Sequence, residues 1–227
     1  FSLQENSPAI DAGDPGLPVD PDGTVADMGA IYYSQIPLVF ISSSENTLTN
    51  ISPIPVTISF SESVYLFESE DLTISNGTVA SFSGAGDTYT AGITPQSDGL
   101  VTLNISEDIA VDIDGNGNTA SDEFSIAFDG TAPSVSIAST ASSPTDLSTI
   151  PVTVTFSESV TGFALDDVTV SNGSKNNLAG SNTDYSFDLI PDGDGVVTVD
   201  IVQNGVHDEA GNGNTAPNQF SIISMIP

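Results

Sequence analysis

Residues 55–64 read PVTISFSESV, and residues 151–160 read PVTVTFSESV. In the first stretch Val56, Ile58 and Phe60 alternate with Thr57, Ser59 and Ser61; in the second, Val152, Val154 and Phe156 keep the same beat. A period of two belongs to a β-strand with one buried and one wet face. The recurrence after 96 residues makes the chain an internal duplication.

Outward from these strands the register holds without a gap. Phe67 meets Phe163, Asp71 meets Asp167, Asn76-Gly77 meets Asn172-Gly173, and Tyr89 meets Tyr185. Asp98-Gly99 meets Asp194-Gly195, GNGNTA from Gly115 meets GNGNTA from Gly211, and FSI from Phe124 meets FSI from Phe220. At the other end Pro37, Val39 and Ile41 align with Pro133, Val135 and Ile137. The expected organisation is one domain at 37–132, a second at 133–227, and residues 1–36 as a linker or the tail of an upstream domain. Strands are expected near 38–43, 54–61, 70–76, 78–83, 87–94, 100–106 and 122–128, with counterparts 96 residues on. Asn76-Gly77 and Ser97-Asp98-Gly99 read as tight turns between strands. No segment has helical periodicity with caps. About seven short strands in roughly 95 residues point to an all-β fold of two tandem immunoglobulin-like sandwiches.

Charge narrows the function. There are 31 acidic residues against one cationic side chain, Lys175, for a formal net charge of −30. Nucleic acids and anionic membranes are excluded as partners, because binding them needs Lys and Arg. So acidic a chain is a candidate for disorder, but 38% of its residues are hydrophobic and they alternate through the acids, so it folds. Acidity of this order also suits a protein that lives in salt water. Cysteine is absent, and no run approaches the ~20 apolar residues of a membrane span. The chain opens at Phe1 with neither an initiator Met nor a signal peptide, and reads as an excerpt of something longer.

The ordered series P-V-T-[VI]-[ST]-F-S-E-S-V, Phe-x₃-Asp, T-[VI]-S-N-G, D-G-x-V-T and D-x-x-G-N-G-N-T-A resembles the bacterial immunoglobulin-like repeats of large surface and secreted proteins. Asp129-Gly130-Thr131-Ala132-Pro133 resembles the start of such a repeat. The resemblance implies a secreted or cell-surface module with a structural or adhesive role and no catalysis. SPAIDAGDP from Ser7 and DPDGTVADMGAIYY from Asp20 resemble the last rung and tail of right-handed parallel β-helix proteins. The alternative for that stretch is a chain end with no core of its own.

Threading the acids onto the sandwich gathers several at one pole. If strands simply alternate in direction, the loops after the second, fourth and sixth strands lie together beside the incoming chain. In the second copy that pole receives Glu158, Asp166, Asp167, Asp184, Asp208, Asn212 and Asn214, and the linker adds Asp129. In the first it receives Glu62, Asp71, Asp87, Asp112, Asn116 and Asn118, with Asp114 besides. Such residues are ordinarily solvated turn formers. Their repetition at Glu62/Glu158, Asp71/Asp167 and Asp112/Asp208, with almost no cation to pair them, favours a hard ion that takes oxygen ligands, namely Ca²⁺. The expected ligands are Glu62, Asp71, Asp112, Asn116, Asp129, Glu158, Asp167, Asp208 and Asn212, with one ion at the pole of each copy and the second at the joint between domains.

Residues 112–123 also fit the twelve-residue EF-hand loop, with Gly117 at position six and Glu123 at twelve. The flanking helices are missing and the second copy loses two ligand positions, so the stretch reads as a turn that can donate to calcium. A second Asp-rich loop, Asp20-Pro21-Asp22-Gly23 with Asp27, is a weaker candidate. Catalysis has little to stand on. His207 faces Val111 in the other copy, there is no thiol, and no base stands by Ser61 or Ser63 to activate a hydroxyl.

Two functions fit these features. The first is a spacer or adhesive array, rigidified by calcium, whose partners are the neighbouring domains and another surface protein or a polysaccharide. The second is a carbohydrate-binding accessory module of a β-helix enzyme acting on polysaccharide. Sugar platforms need exposed aromatic rings; Trp is absent, and Tyr32, Tyr33 and Tyr65 are the rings available once Tyr89 and Tyr185 are assigned to strands. A third possibility is homophilic assembly through strand edges.

Overall fold

The structure, a computed structural model, describes residues 36–226 and, before them, Pro8 alone. The segments similar to a β-helix tail and the Asp20–Asp27 loop therefore lie outside the described residues. The chain divides into two compact units, Phe1–Phe128 and Asp129–Pro227.

Unit 1 contains β1 (Val39–Ser42), β2 (Leu48–Thr49), β3 (Ile54–Val64), β4 (Leu72–Ser75), β5 (Gly77–Pro95), β6 (Gly99–Ile105) and β7 (Phe124–Phe128). One sheet has the order β1-β3-β5 and the other β2-β7-β6-β4. Unit 2 contains β8 (Val135–Ser139), β9 (Ile150–Phe156), β10 (Val168–Ser171), β11 (Gly173–Ser181), β12 (Asp184–Pro191), β13 (Gly195–Ile201) and β14 (Phe220–Ser224). Its sheets are β8-β9-β12-β11 and β10-β13-β14. Lettered A to G in chain order, that is A-B-E-D against C-F-G, the constant-type immunoglobulin topology. The all-β sandwich expected from the repeat is the fold observed.

Three local features differ from the sequence reading. Residues 78–83 and 87–94 belong to one continuous β5, bent at Gly84 and Gly86, whose φ values are +141° and +72°. Unit 2 breaks the same stretch into β11 and β12 around Asn182 (φ +61°). Asn76-Gly77 is not a hairpin turn, because β4 and β5 lie in different sheets. A tight hairpin of that type needs positive φ at both central residues, and here Asn76 alone of the pair has it, at +56°. Its amide instead ties two crossovers together: Nδ2 donates to Ser97 O at 2.9 Å, and Ser97 Oγ donates to Asn76 Oδ1 at 3.0 Å. Finally, β2 pairs in parallel with β7 through Leu48 and Thr49. Two residues are too few to show a period, so this strand left no mark in the sequence.

The alternating positions behave as read. Val56, Ile58, Phe60, Val152, Val154 and Phe156 are buried, while Thr57, Thr153 and Thr155 face solvent. Aromatic rings complete each core. Phe67 lies edge-to-face on Phe60 and Tyr89 at 5.1 and 4.9 Å between centroids, and Phe163 does the same with Phe156 and Tyr185 at 5.4 and 4.9 Å. Each such pair contributes about 0.5–1.5 kcal/mol beyond its buried area. The hydroxyls of Tyr89 and Tyr185 donate to Val64 O and Val160 O, both at 3.4 Å. Burial raises the Tyr89 phenol above its ordinary pKa, against the smaller opposing effect of a backbone hydrogen bond at Gly86.

Comparison of the copies exposes one strained residue. Leu66 adopts φ +68° where its counterpart Gly162 has +85°. A side chain in the left-handed region costs about 1–2 kcal/mol, which glycine avoids; glycine's freer unfolded chain returns part of that difference. Leu66 is 74% exposed, so little packing is lost with it. Leu66→Gly should therefore stabilise unit 1 by about 0.5–1 kcal/mol, read as a higher urea midpoint at unchanged slope.

Candidate functional site

The site is built on the loops that close each sandwich where the chain comes in. In unit 2 the loop after β13 is organised by two side chains. Asp208 Oδ1 accepts from the backbone N–H of Gly211 at 2.7 Å and of Asn212 at 2.8 Å, and Oδ2 accepts from Asn212 Nδ2 at 2.9 Å. Asn214, fully buried, accepts from Val206 N–H at 3.1 Å and donates to Val202 O and Thr215 O at 3.1 and 3.0 Å. Thr215 in turn donates its N–H to Pro133 O at 2.9 Å, fastening the loop to the start of the domain. Unit 1 repeats the device. Asp112 Oδ1 accepts from Asp114 and Asn116 N–H, Asn118 ties Ala110 N–H to Ser106 O and Thr119 O, and Thr119 N–H reaches Pro37 O.

Three carboxylates converge on this frame in unit 2. Asp129, at the start of the unit, Glu158, just past β9, and Asp208 each place an oxygen within 4.8 Å of the other two. Asp208 is buried and the other two are half-buried. Asn212 joins them, its Nδ2 also donating to the Asp129 carbonyl at 2.9 Å. At such a separation each pair of like charges repels by about 3–4 kcal/mol at an effective dielectric near 20, less where water and salt screen the exposed members. Oxygens held 2.3–2.6 Å from one Ca²⁺ would be about 3–5 Å apart, a spacing this group already has.

The remaining expected ligands are placed differently. Asp167 accepts from Ala164 N–H at 2.8 Å and Asp71 from Glu68 N–H at 2.8 Å, each closing a one-turn 3₁₀ helix, Leu165–Asp167 or Ser69–Asp71. Glu62 lies within β3, which runs on to Val64, whereas β9 ends at Phe156 and leaves Glu158 in the loop. Asp112 and Asn116 reproduce the turn of Asp208 and Asn212, with Asn116 Nδ2 donating to Asp112 Oδ2 at 2.6 Å. The position matching Asp129 in the first copy is Tyr33, so the sequence offers no third carboxylate there. Among the described residues, the group of three is that of unit 2. Residues 112–123 are a turn and extended chain without flanking helices, so the EF-hand pattern has no EF-hand fold. His207 contributes backbone bridges to Thr161 and Gly213.

The sequence places Asn118 and Asn214 in the loops beside the expected ligands. Their burial shows them to be the hydrogen-bonding plugs of the loop; the signal for this is GNGNTA, which recurs unchanged in the two copies.

Both sandwiches, with this shared loop device, define a class. The chain belongs to the family of bacterial Ig-like domains, whose model matches residues 34–128 and again 129–223. Among solved structures it is similar to InvD of Yersinia pseudotuberculosis, at 12% identity and a TM-score of 0.32 over 84% of this chain and 56% of that one. It is likewise similar to the adhesin InvE of the same organism, at 13% identity and a TM-score of 0.29 over 83% of this chain and 58% of that one. The chain thus spans under three-fifths of either structure's length. No curated protein matches it in sequence. No helix among the described residues is long and apolar enough to cross a membrane.

Proposed function

We propose that the chain is a non-catalytic spacer or adhesive segment of a bacterial surface or secreted protein, with calcium bound at the incoming end of its second domain. The observation that carries the metal is the convergence of Asp129, Glu158 and Asp208 within 4.8 Å in a chain of net charge −30. A Ca²⁺ ion there would take carboxylate oxygens from all three, and its charge would cancel their repulsion. Asp129 precedes the first strand of the unit while the other two follow its second and sixth, so the ion would pin the linker to the domain and oppose bending at that point. Asn212 supports the reading: its amide lies against two of the groups and offers a further oxygen when turned over.

The spacer role rests on family membership and on what the surface lacks. Tyr89 is buried and Tyr185 half-buried, which leaves Tyr65, 53% exposed, as the open tyrosine among the described residues. Tyr65 and the exposed ring of Phe40 are a thin platform for a sugar chain, and the carbohydrate-binding alternative draws no other support from the fold.

The test is thermal unfolding of the whole chain in low-salt buffer with EDTA, with millimolar Ca²⁺, and with Mg²⁺ as control. A rise specific to calcium is expected, since Mg²⁺ demands a stricter octahedron and keeps its waters. Equal action by both ions, matched by added salt, would reduce the acids to a solubility feature.

A further inference from the structure

The two units descend from one repeat, so each serves as a control for the other. Along one flank of unit 1, where β1 ends its sheet, a cleft of about 320 Å³ runs between β1 and β7. Its walls are Val39, Phe40 and Ile41 on one side and Asp122, Glu123 and Phe124 on the other, continuing to Ser125. Phe40 is 57% exposed. Glu123 is steadied by Asn104, whose Nδ2 donates to its Oε2 at 3.3 Å.

Both walls present strand backbone. Ala127 turns its N–H away from β6 to Thr47 O, and strand alternation turns Ser125, two residues earlier, the same way. The short β2 covers Ala127 and Phe128 and stops there. Opposite, Ser61 N–H bonds to Leu38 O, so alternation points the backbone groups of Val39 and Ile41 outward from β3.

Unit 2 keeps the apolar floor of this flank as Val135, Ile137 and Phe220, but carries Ser136, Asn218 and Gln219 where unit 1 has Phe40, Asp122 and Glu123. The fold therefore requires neither the exposed ring nor the two charges. We propose that the cleft docks a short extended segment of another protein, alternating apolar side chains with Lys or Arg and adding as a strand along β7 at Ser125. The carboxylates of Asp122 and Glu123 select for cationic side chains and Phe40 covers an apolar one. A second copy of this chain is a poor occupant: its only cation is Lys175, and two copies at −30 repel.

The probe is a fluorescently labelled peptide, Lys-Val-Arg-Val-Lys-Val, titrated by anisotropy against the whole chain in EDTA at about 0.15 M salt. Its dissociation constant should rise by about tenfold in the triple variant Phe40→Ser, Asp122→Asn, Glu123→Gln, as loss of an aromatic anchor and its charges implies. That variant borrows the residues unit 2 already carries, and its thermal unfolding should match the parent's. A peptide with proline for valine, unable to pair as a strand, should not bind measurably. Asp192→Asn with Asp194→Asn, both exposed in unit 2, should leave the affinity unchanged. Undiminished binding by the triple variant, equal loss in the control variant, or equal binding of the proline peptide would overturn the proposal in favour of general attraction to an acidic surface. So would amide NMR shifts of the unsubstituted chain falling away from residues 39–41 and 123–125 when the valine peptide is added.

Discussion

Asn214→Ala should lower the stability of unit 2 by about 3 kcal/mol, or roughly 12–24 °C in Tm for a domain of this size. The amide has no exposed surface and holds three backbone groups: it accepts from Val206 N–H and donates to Val202 O and Thr215 O. Alanine leaves all three without their partner, and each buried orphan costs about 1–3 kcal/mol. Asn214→Asp, of nearly the same shape, should be worse. Its carboxylate keeps the acceptor but turns an oxygen toward two carbonyls in a site where an unpaired charge is poorly tolerated. The same loss is expected for Asn118→Ala in unit 1, where Asn118 holds the N–H groups of Ile109 and Ala110 and the carbonyls of Ser106 and Thr119. Hydrogen exchange resolves the two units separately within the whole chain. A loss below about 1 kcal/mol would show that water substitutes for the amide.

Saturation with Ca²⁺ should raise the opening free energy of unit 2 by about 2.7 kcal/mol at a hundredfold excess over Kd, and leave unit 1 unmoved. The asymmetry follows from Asp129 in the second copy being matched by Tyr33 in the first, and from Glu62 lying within β3 where Glu158 stands in a loop. Glu158→Gln separates a metal site from a merely acidic corner. In EDTA it removes one of three mutually repelling charges and should be neutral or slightly stabilising. In calcium it removes a ligand, and most of the gain should vanish. A substitution that stabilises equally in both buffers would mean that the carboxylates never share an ion. Hydrogen exchange of β9 and β13 against β3 and β6 reads the difference between the units.

Much of this protein was legible in one dimension. The period of two in PVTISFSESV and PVTVTFSESV fixes which side chains are buried, because a strand's geometry lets successive residues face only opposite ways. The gapless 96-residue repeat fixes the duplication, and with seven strand-like runs per copy it reaches the sandwich. The order of the loops alone puts Asp129, Glu158 and Asp208 at one pole with Asp166, Asp167 and Asp184, and does not single out the three.

What the sequence could not decide depends on partners distant along the chain. Asn76-Gly77 reads as a hairpin, but β4 and β5 each find better neighbours in opposite sheets, so the turn became a crossover locked to Ser97. β2 exists because β7 offers an edge at Ala127, not because Leu48 and Thr49 prefer a strand. Asp71 and Asp167 recur in the two copies as Asp112 and Asp208 do, and only the fold shows that each closes a 3₁₀ turn. Local alternation follows from the bonding of each residue to its neighbours, whereas the use of a carboxylate depends on which donors the folded chain brings within about 3 Å of it.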